Sequence, residues 1–122
     1  MELNEFYRLM GSSLAEQVER LGSERILYRF LLRLSDDSAL TELRLGIENS
    51  DTANVFRAAH TVKGIAMNLG LTTLQNASAP LAEALRNKTE PEALASCADL
   101  IDALLAELDR TVALIRELSP AT

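Results

Sequence analysis

The chain has 122 residues, the size of a single domain, and a formal net charge of −6. Such an acidic chain lacks the basic surface that nucleic-acid binding requires, so this class of function is excluded. Leu, Ala and Glu are the most frequent residues and only 4% are aromatic, which favours helices over strands and predicts an all-α fold.

Two short helices are predicted at the N-terminus. The first covers residues 3–10, and Gly11 ends it. Ser13 and Glu16 form an S-x-x-E capping box that opens the second helix, which runs to Leu21. The one-sided apolar stripe that identifies the first helix consists of Leu3, Phe6, Tyr7 and Met10.

A long helix is predicted over residues 23–48, with Ser23 as its N-cap. Its apolar stripe has two halves that are out of heptad phase by one residue, and Asp36, Asp37 and Ser38 lie where the halves meet. We therefore expect a kink or a break at this point. The two halves are Leu27, Phe30 and Leu34, followed by Leu40, Leu43 and Ile47.

The next two helices follow each other closely. One is predicted over residues 52–69, with Asp51 as its N-cap and Gly70 just beyond its last turn. The other is predicted over residues 72–88. Pro80 lies inside it, removes one backbone donor and is expected to bend it.

Two further capping boxes are predicted to open the last two helices. Thr72 with Gln75 opens the helix that contains Pro80, and Thr89 with Glu92 opens a final helix over residues 90–117. Apolar residues recur along this final helix with the 4-3 spacing of a bundle seam. They are Leu94, Ala98, Ile101, Leu105, Leu108, Val112 and Ile115.

The four longer helices are amphipathic and joined by short loops, which predicts an antiparallel four-helix bundle. We expect one domain over residues 1–122. Its parts are short capping helices over 1–22, the bundle over 23–117 and a tail over 118–122.

The sequence carries no sign of export or membrane insertion. Cys97 is the only cysteine, which excludes an intramolecular disulfide and a cysteine-based zinc site, and we interpret it as a packing residue. The N-terminus lacks the basic and apolar regions of a signal peptide, and no apolar run approaches the ~20 residues of a membrane span. We expect a cytoplasmic protein that does not contact a membrane.

The helix over residues 52–69 carries the only histidine of the chain. At ~100° per residue, its core-facing residues fall in one narrow arc. His60 lies about 140° from Val55 on this wheel and therefore points away from the core. The predicted core residues are Val55, Ala59, Val62, Ala66 and Leu69.

The neighbours of His60 on this helix form an unusual set. Phe56 precedes it by four residues and Met67 follows it by seven, so a contact surface is predicted on its side. Lys63 lies three residues after His60, within reach of its side chain. Gly64 costs a helix interior about 1 kcal/mol relative to alanine, but it leaves room for another protein's backbone.

These residues suit phosphoryl transfer. A neutral imidazole is a competent nucleophile near neutral pH, since its ordinary pKa is ~6.5. Phosphoryl transfer depends on positioning and charge stabilisation, which Lys63 provides, with Arg57 as a candidate second charge. Each residue alone has an ordinary structural explanation, as a solvated polar group, a core-edge residue or a packing glycine. Their combination on one face favours a site.

The segment FRAAHTVKGIAMNLGLTTL, residues 56–74, resembles the phosphoacceptor signature HxLKGxAxxxG of histidine phosphotransfer (HPt) domains. It is also similar to the N-terminal phosphoacceptor domain of chemotaxis histidine kinases. The positions in register are His60, Val62, Lys63, Gly64, Ala66 and Gly70.

The resemblance implies a phosphohistidine carrier of a two-component phosphorelay rather than an enzyme. His60 would be phosphorylated at Nε2, Lys63 would stabilise the phosphate and Gly64 would give the partner clearance. The partner would be the receiver domain of a response regulator or hybrid histidine kinase, which brings the aspartate and Mg²⁺, so that this chain needs no cofactor or metal. We expect a monomer, either a stand-alone carrier or a module of a larger protein. The residues expected at the docking surface are Phe56, Arg57 and Met67, together with apolar residues of the N-terminal helices.

One position departs from the family pattern. Many members carry Glu or Gln 22 residues after the histidine, on the facing helix, where it holds the imidazole. That position is Ala82 here, and the adjacent Glu83 is turned ~100° away around the helix. The sequence therefore leaves open what orients the ring of His60.

One alternative function remains open, and two others are disfavoured by the sequence. An adaptor of the same fold that binds a partner without transferring phosphate is favoured by Ala82 and disfavoured by the intact His60, Lys63 and Gly64. A nucleotide-dependent enzyme would need a phosphate-binding loop or kinase signature, and neither is present. The dimerisation helix of a sensor kinase usually has an acidic residue after its histidine, where this chain has Thr61.

Overall fold

The structure, a computed structural model, describes residues 1–120, which contain eight helices and no strand. In chain order these are α1 (Leu3–Leu9), α2 (Leu14–Leu21), α3 (Glu24–Ser35), α4 (Ser38–Glu48), α5 (Thr52–Leu69), α6 (Thr72–Leu85), α7 (Glu92–Ala95) and α8 (Ala98–Arg116). The all-α prediction is confirmed. The last two residues of the predicted tail, 121 and 122, lie outside the described residues.

Four arms form the bundle: α3 together with α4, then α5, α6 and α8. The helix α5 packs against both α4 and α6, while α8 packs against α6 and α3 and so closes the ring. Only two residues connect α5 to α6 and only three connect α4 to α5, so these neighbours run antiparallel. The predicted antiparallel four-helix bundle is confirmed, with its first arm in two pieces.

The first arm breaks where the sequence predicts a kink or a break. The helix α3 ends at Ser35, and Asp37 adopts an extended conformation with φ −68° and ψ 135°. The Asp37 carboxylate then accepts a hydrogen bond from the amide of Ala39 at 2.8 Å, which caps α4. The phase shift in the apolar stripe therefore marks a complete helix boundary.

Three of the predicted caps are confirmed, because the side chains of Ser13, Ser23 and Asp51 accept hydrogen bonds from the first turns of α2, α3 and α5. The two threonine boxes are wrong. The N-cap positions of α6 and α7 belong to Leu71 and Pro91, which make no side-chain cap. The amide of Gln75 donates to the carbonyl of Leu71 at 2.9 Å, so α6 starts one residue earlier than a Thr72 cap would allow.

The last two predicted helices are also shorter than expected. The helix α6 ends at Leu85. Asn87 has a φ of +62°, and because a right-handed α-helix needs a negative φ, the helix cannot continue to residue 88. The helix predicted over 90–117 is divided between α7 and α8. At the division the Ser96 hydroxyl donates to the carbonyl of Ala93 at 2.8 Å, a local bond that competes with helix continuation.

The seam of α8 differs from the predicted one in its register. Leu104 is completely buried, whereas Leu105 is only partly buried and Ala98 is exposed. Thr111 is buried in place of Val112, because its hydroxyl donates to the carbonyl of Glu107 at 2.8 Å and so needs no solvent partner. The residues that face the core are Ile101, Leu104, Leu108, Thr111 and Ile115.

The N-terminal helices close the end of the bundle where α5 turns into α6. The hydroxyl of Ser12 donates to the carbonyl of Gly70 at 2.6 Å, and the amide of Thr73 donates to the carbonyl of Met10 at 3.1 Å. The apolar stripe of α1 contributes its four residues to the core. These contacts fix the end of α5, between two and three turns beyond His60.

The N- and C-terminal segments lie together. The amide of Ser119 donates to the carbonyl of Met1 at 2.8 Å, and the amino group of Met1 donates to the carbonyl of Glu117 at 2.6 Å. Leu118, which the sequence assigns to the tail, is buried with 7% of its surface exposed. The tail is therefore held against the first residues as far as Ser119.

Candidate functional site

The helix α5 presents two different faces, as its sequence predicts. Its five predicted core residues are buried, none of them more than 3% exposed, whereas the side chain of His60 is exposed. The Asp51 carboxylate caps the first turn through the amide of Asn54 at 3.2 Å. A rigid, capped helix thus holds His60 on the outside of the bundle.

Gly64 leaves open space one turn beyond His60. A Cβ atom built on Gly64 would meet no heavy atom within 4 Å. Gly46 of α4 shows what a packing glycine looks like, because its Cβ would lie 2.9 Å from Cγ2 of Val55. The explanation of Gly64 as a helix-packing residue therefore fails, and the space faces solvent beside Lys63, which is half-buried.

The aromatic ring of Phe56 stacks on the ring of His60. The ring centroids are 5.8 Å apart and the planes make an angle of 19°. Phe56 is half-buried and packs against the core, whereas Met67 is 49% exposed. The apolar neighbours of His60 are therefore of two kinds: a ring anchored in the bundle and a methionine that reaches solvent.

Arg57 lies three residues before His60, and its side chain is directed toward the N-terminus of α5. Its guanidinium donates a hydrogen bond to the side-chain carbonyl of Asn54, one turn toward the N-terminus. Asn54 in turn donates to the carboxylate of Asp51. Arg57 is exposed, and in this arrangement its charge is not directed at His60.

The facing helix α6 contributes one residue that sequence analysis missed. The guanidinium carbon of Arg86 lies 5.7 Å from the centroid of the Phe56 ring, within cation–π range. Arg86 also pairs with Glu83, with Nε and Oε2 3.2 Å apart. No spacing along α5 could reveal a contact from α6, so the only available signal was the antiparallel packing of the two helices.

Ala82 is completely buried, so its methyl group belongs to the helix interface. Glu83, the neighbouring acid, is engaged with Arg86. Within residues 1–120, no side chain donates a hydrogen bond to the His60 ring or accepts one from it.

Residues 1–120 contain neither a metal-binding cluster nor a membrane-spanning helix. These residues contain no cluster of three or more His, Cys, Asp or Glu side chains arranged to hold a metal ion. None of their helices is both long and apolar enough to span a bilayer.

The comparison with protein families identifies the class. The model of the Hpt domain family matches residues 12–113, which include all of α2 to α7 and most of α8. The chain therefore belongs to the Hpt domain family, the histidine phosphotransfer domains of phosphorelays. Neither the search of curated proteins nor the search of solved structures gives a match.

Proposed function

We propose that His60 is the phosphoryl acceptor and that it exchanges its phosphoryl group with the aspartate of a receiver domain. The observation that supports this most directly is the surface of α5, where an exposed imidazole lies one turn from the open space at Gly64 and from Lys63. A receiver must bring its aspartyl phosphate to the ring, and this space admits its backbone.

The transfer is a single displacement at phosphorus. The lone pair of Nε2 attacks the phosphorus of the aspartyl phosphate while Nδ1 keeps its proton. The P–O bond to the aspartate breaks, and its electron pair returns to the carboxylate. The ammonium group of Lys63 stabilises the negative charge on the phosphoryl oxygens during this step.

The partner surface lies around His60 on α5. Met67 provides an exposed apolar contact, Gly64 provides clearance, and the exposed Arg57 provides a charge at the edge. The receiver supplies the Mg²⁺ along with its aspartate. The chain thus acts as a carrier whose metal arrives with its partner.

Transfer assays with labelled receivers test this function. The chain is mixed, with Mg²⁺ present, with a panel of receiver domains carrying radioactive aspartyl phosphate, and its own label is followed. We expect a label that is lost in acid and stable in alkali, as a P–N bond requires. His60→Gln abolishes it, since the sequence contains no other histidine. ATP alone should give no label, and labelling of the His60→Gln protein would refute the assignment.

A second function, that of a non-transferring adaptor, is supported by one observation. Position 82, where many members of the family carry the Glu or Gln that holds the imidazole, is a buried alanine here. An adaptor would bind a receiver or kinase in a pull-down or titration yet take no label from it. Binding together with labelling would exclude the adaptor.

A further inference from the structure

Within residues 1–120, the ring of His60 stacks on one aromatic ring, that of Phe56. Phe56 lies four residues earlier on α5, where side chains meet directly along a helix. A centroid separation of 5.8 Å with planes 19° apart is the offset stacked arrangement that aromatic rings prefer. Because Phe56 is half-buried against the core, it provides a fixed surface for the imidazole.

Phe56 is itself held from α6. The Arg86 guanidinium lies over its ring at 5.7 Å, and Glu83 fixes that guanidinium through a 3.2 Å ion pair. The contacts run from Glu83 through Arg86 and Phe56 to His60. They link the imidazole on one helix to an ion pair on the next without a hydrogen bond to the ring.

The geometry of the helix pair explains why stacking has this role. Phe56 of α5 meets Arg86, the residue that follows the last turn of α6, and the two helices are antiparallel, so four residues forward on α5 correspond to four residues back toward α6. His60 is therefore level with Ala82, which offers only a buried methyl group. The carboxylate of Glu83, the next residue in sequence, is engaged by Arg86.

We propose that Phe56 is the positioning residue for His60 and holds the imidazole plane by stacking, with Arg86 as its brace. The lone pair that attacks phosphorus lies in the ring plane, so a phenyl group on the ring face leaves it accessible. Restricting the ring in this way removes orientations in which the nitrogen points away from the donor. The inference rests on the proposed role of His60 as phosphoryl acceptor.

Nuclear magnetic resonance tests the stack in the unphosphorylated protein. With one histidine in the chain, the imidazole proton signals are unambiguous. Phe56→Leu keeps an apolar side chain but removes the ring, so the signals should move downfield as the ring-current shift is lost. Phe56→Tyr keeps the ring and should keep their positions. Circular dichroism and thermal unfolding establish that both variants remain folded.

Phosphorylation by phosphoramidate tests the functional role. This small donor transfers its phosphoryl group to Nε2 with release of ammonia and needs no docking surface. Any loss of partner contacts in Phe56→Leu therefore does not affect the measured rate of labelling. We expect Phe56→Leu to slow labelling about 3- to 10-fold, the range that one aromatic pair contributes, and Phe56→Tyr to label at close to the original rate.

The outcomes separate the two proposals. Labelling of the original chain with an unchanged rate or unchanged imidazole signals in Phe56→Leu would overturn the positioning role and leave His60 as the acceptor. No labelling of the original chain by phosphoramidate or by any receiver would overturn the proposed function, and the positioning role with it. Slower labelling and moved imidazole signals in Phe56→Leu, with the original rate and the original signal positions kept in Phe56→Tyr, support the inference.

Discussion

The side-chain amide of Gln17 in α2 occupies the space directly beside Gly70, at the turn between α5 and α6. Gly70 has a φ of +73°, and a Cβ placed on it would overlap the Gln17 amide. Gln17 is only 3% exposed and accepts a 2.5 Å hydrogen bond from Arg20, so it has little freedom to move. Gly70, the last glycine of the sequence signature, is therefore needed for the packing of Gln17 in α2 against this turn.

Gly70→Ala should therefore destabilise the protein. A left-handed conformation costs an alanine about 1–2 kcal/mol, and displacement of Gln17 adds to that cost. The free energy of unfolding from urea titration measures the loss. Gly64→Ala is the matched control, since nothing lies within 4 Å of its Cβ, and it should stabilise the protein by up to about 1 kcal/mol. Equal effects of the two substitutions would contradict this account.

The register of α8 gives a second stability prediction. Leu104 is fully buried and Leu105 only partly, although sequence spacing favours Leu105 as the seam residue. Leu104→Ala should cost about 2–5 kcal/mol, the range for a buried leucine that leaves a cavity. Leu105→Ala should cost clearly less in the same urea titration. A larger loss of stability for Leu105→Ala than for Leu104→Ala would instead support the seam predicted from the sequence.

Sequence periodicity was sufficient for α5 but not for α8, and the difference has a physical cause. On α5 the core residues and His60 are fixed by a single uninterrupted helix capped by Asp51 and ended by Gly70. On α8 the predicted stripe started from Leu94, which belongs to a separate short helix and so carries no information about the phase of α8.

The contact of Arg86 with Phe56 was not predictable for a related reason. It depends on how α6 is placed against α5, and no pattern within either helix encodes that placement. By contrast, the exposure of His60 followed directly from the period of one helix. Local periodicity therefore reveals which face carries the site, whereas the residues that brace the site come from tertiary packing.

Tyr7 should show a stability effect that depends on pH. Its hydroxyl is buried and has no hydrogen-bond partner within residues 1–120, and burial raises the pKa of the phenol more than the nearby Arg20 charge lowers it. Above pH ~10 the unfolded chain loses this proton while the folded chain retains it, so this contribution to stability is present below pH 10 and is lost as pH rises.

Tyr7→Phe removes the hydroxyl and keeps the edge-to-face contact with Phe6, whose ring centroid is 5.3 Å away. At pH 7 we expect stability unchanged or raised by up to about 1 kcal/mol. Between pH 9.5 and 11, a range about the ordinary phenol pKa of ~10, the variant should lose stability less steeply than the original chain. Tyr28→Phe, at a half-buried position, is the control. A loss above about 1 kcal/mol at pH 7 would mean that the hydroxyl has a partner.

Gly64→Arg tests the docking surface. Arginine is a better helix former than glycine, and a Cβ atom at this position meets no heavy atom within 4 Å, so stability should not fall. The long side chain fills the space through which a receiver would approach His60. We expect transfer from phosphorylated receivers to be lost while labelling by phosphoramidate continues. Ala103→Arg, at an exposed position on α8, is the control for the added charge. Normal receiver transfer by Gly64→Arg would show that the clearance is not used.

Lys63 offers the most direct test of charge at the site. Lys63 lies three residues after His60 on α5, and it is half-buried rather than freely solvated. Lys63→Ala should slow transfer from a receiver by about 10- to 100-fold without abolishing it, because one charged group near the phosphoryl oxygens stabilises the transition state by at most a few kcal/mol.

The chain contains only one other lysine, and this makes a matched control possible. Lys88 is exposed in the loop after α6, so Lys88→Ala removes the same charge at a distance from His60 and should leave the rate unchanged. Lys63→Arg keeps a cation of different shape and should retain most of the rate. Single-turnover transfer measured at several salt concentrations completes the test, since loss of a local charge persists at high salt whereas a long-range attraction is screened. If the two alanine variants slowed transfer equally, Lys63 would contribute only to the overall charge of the protein.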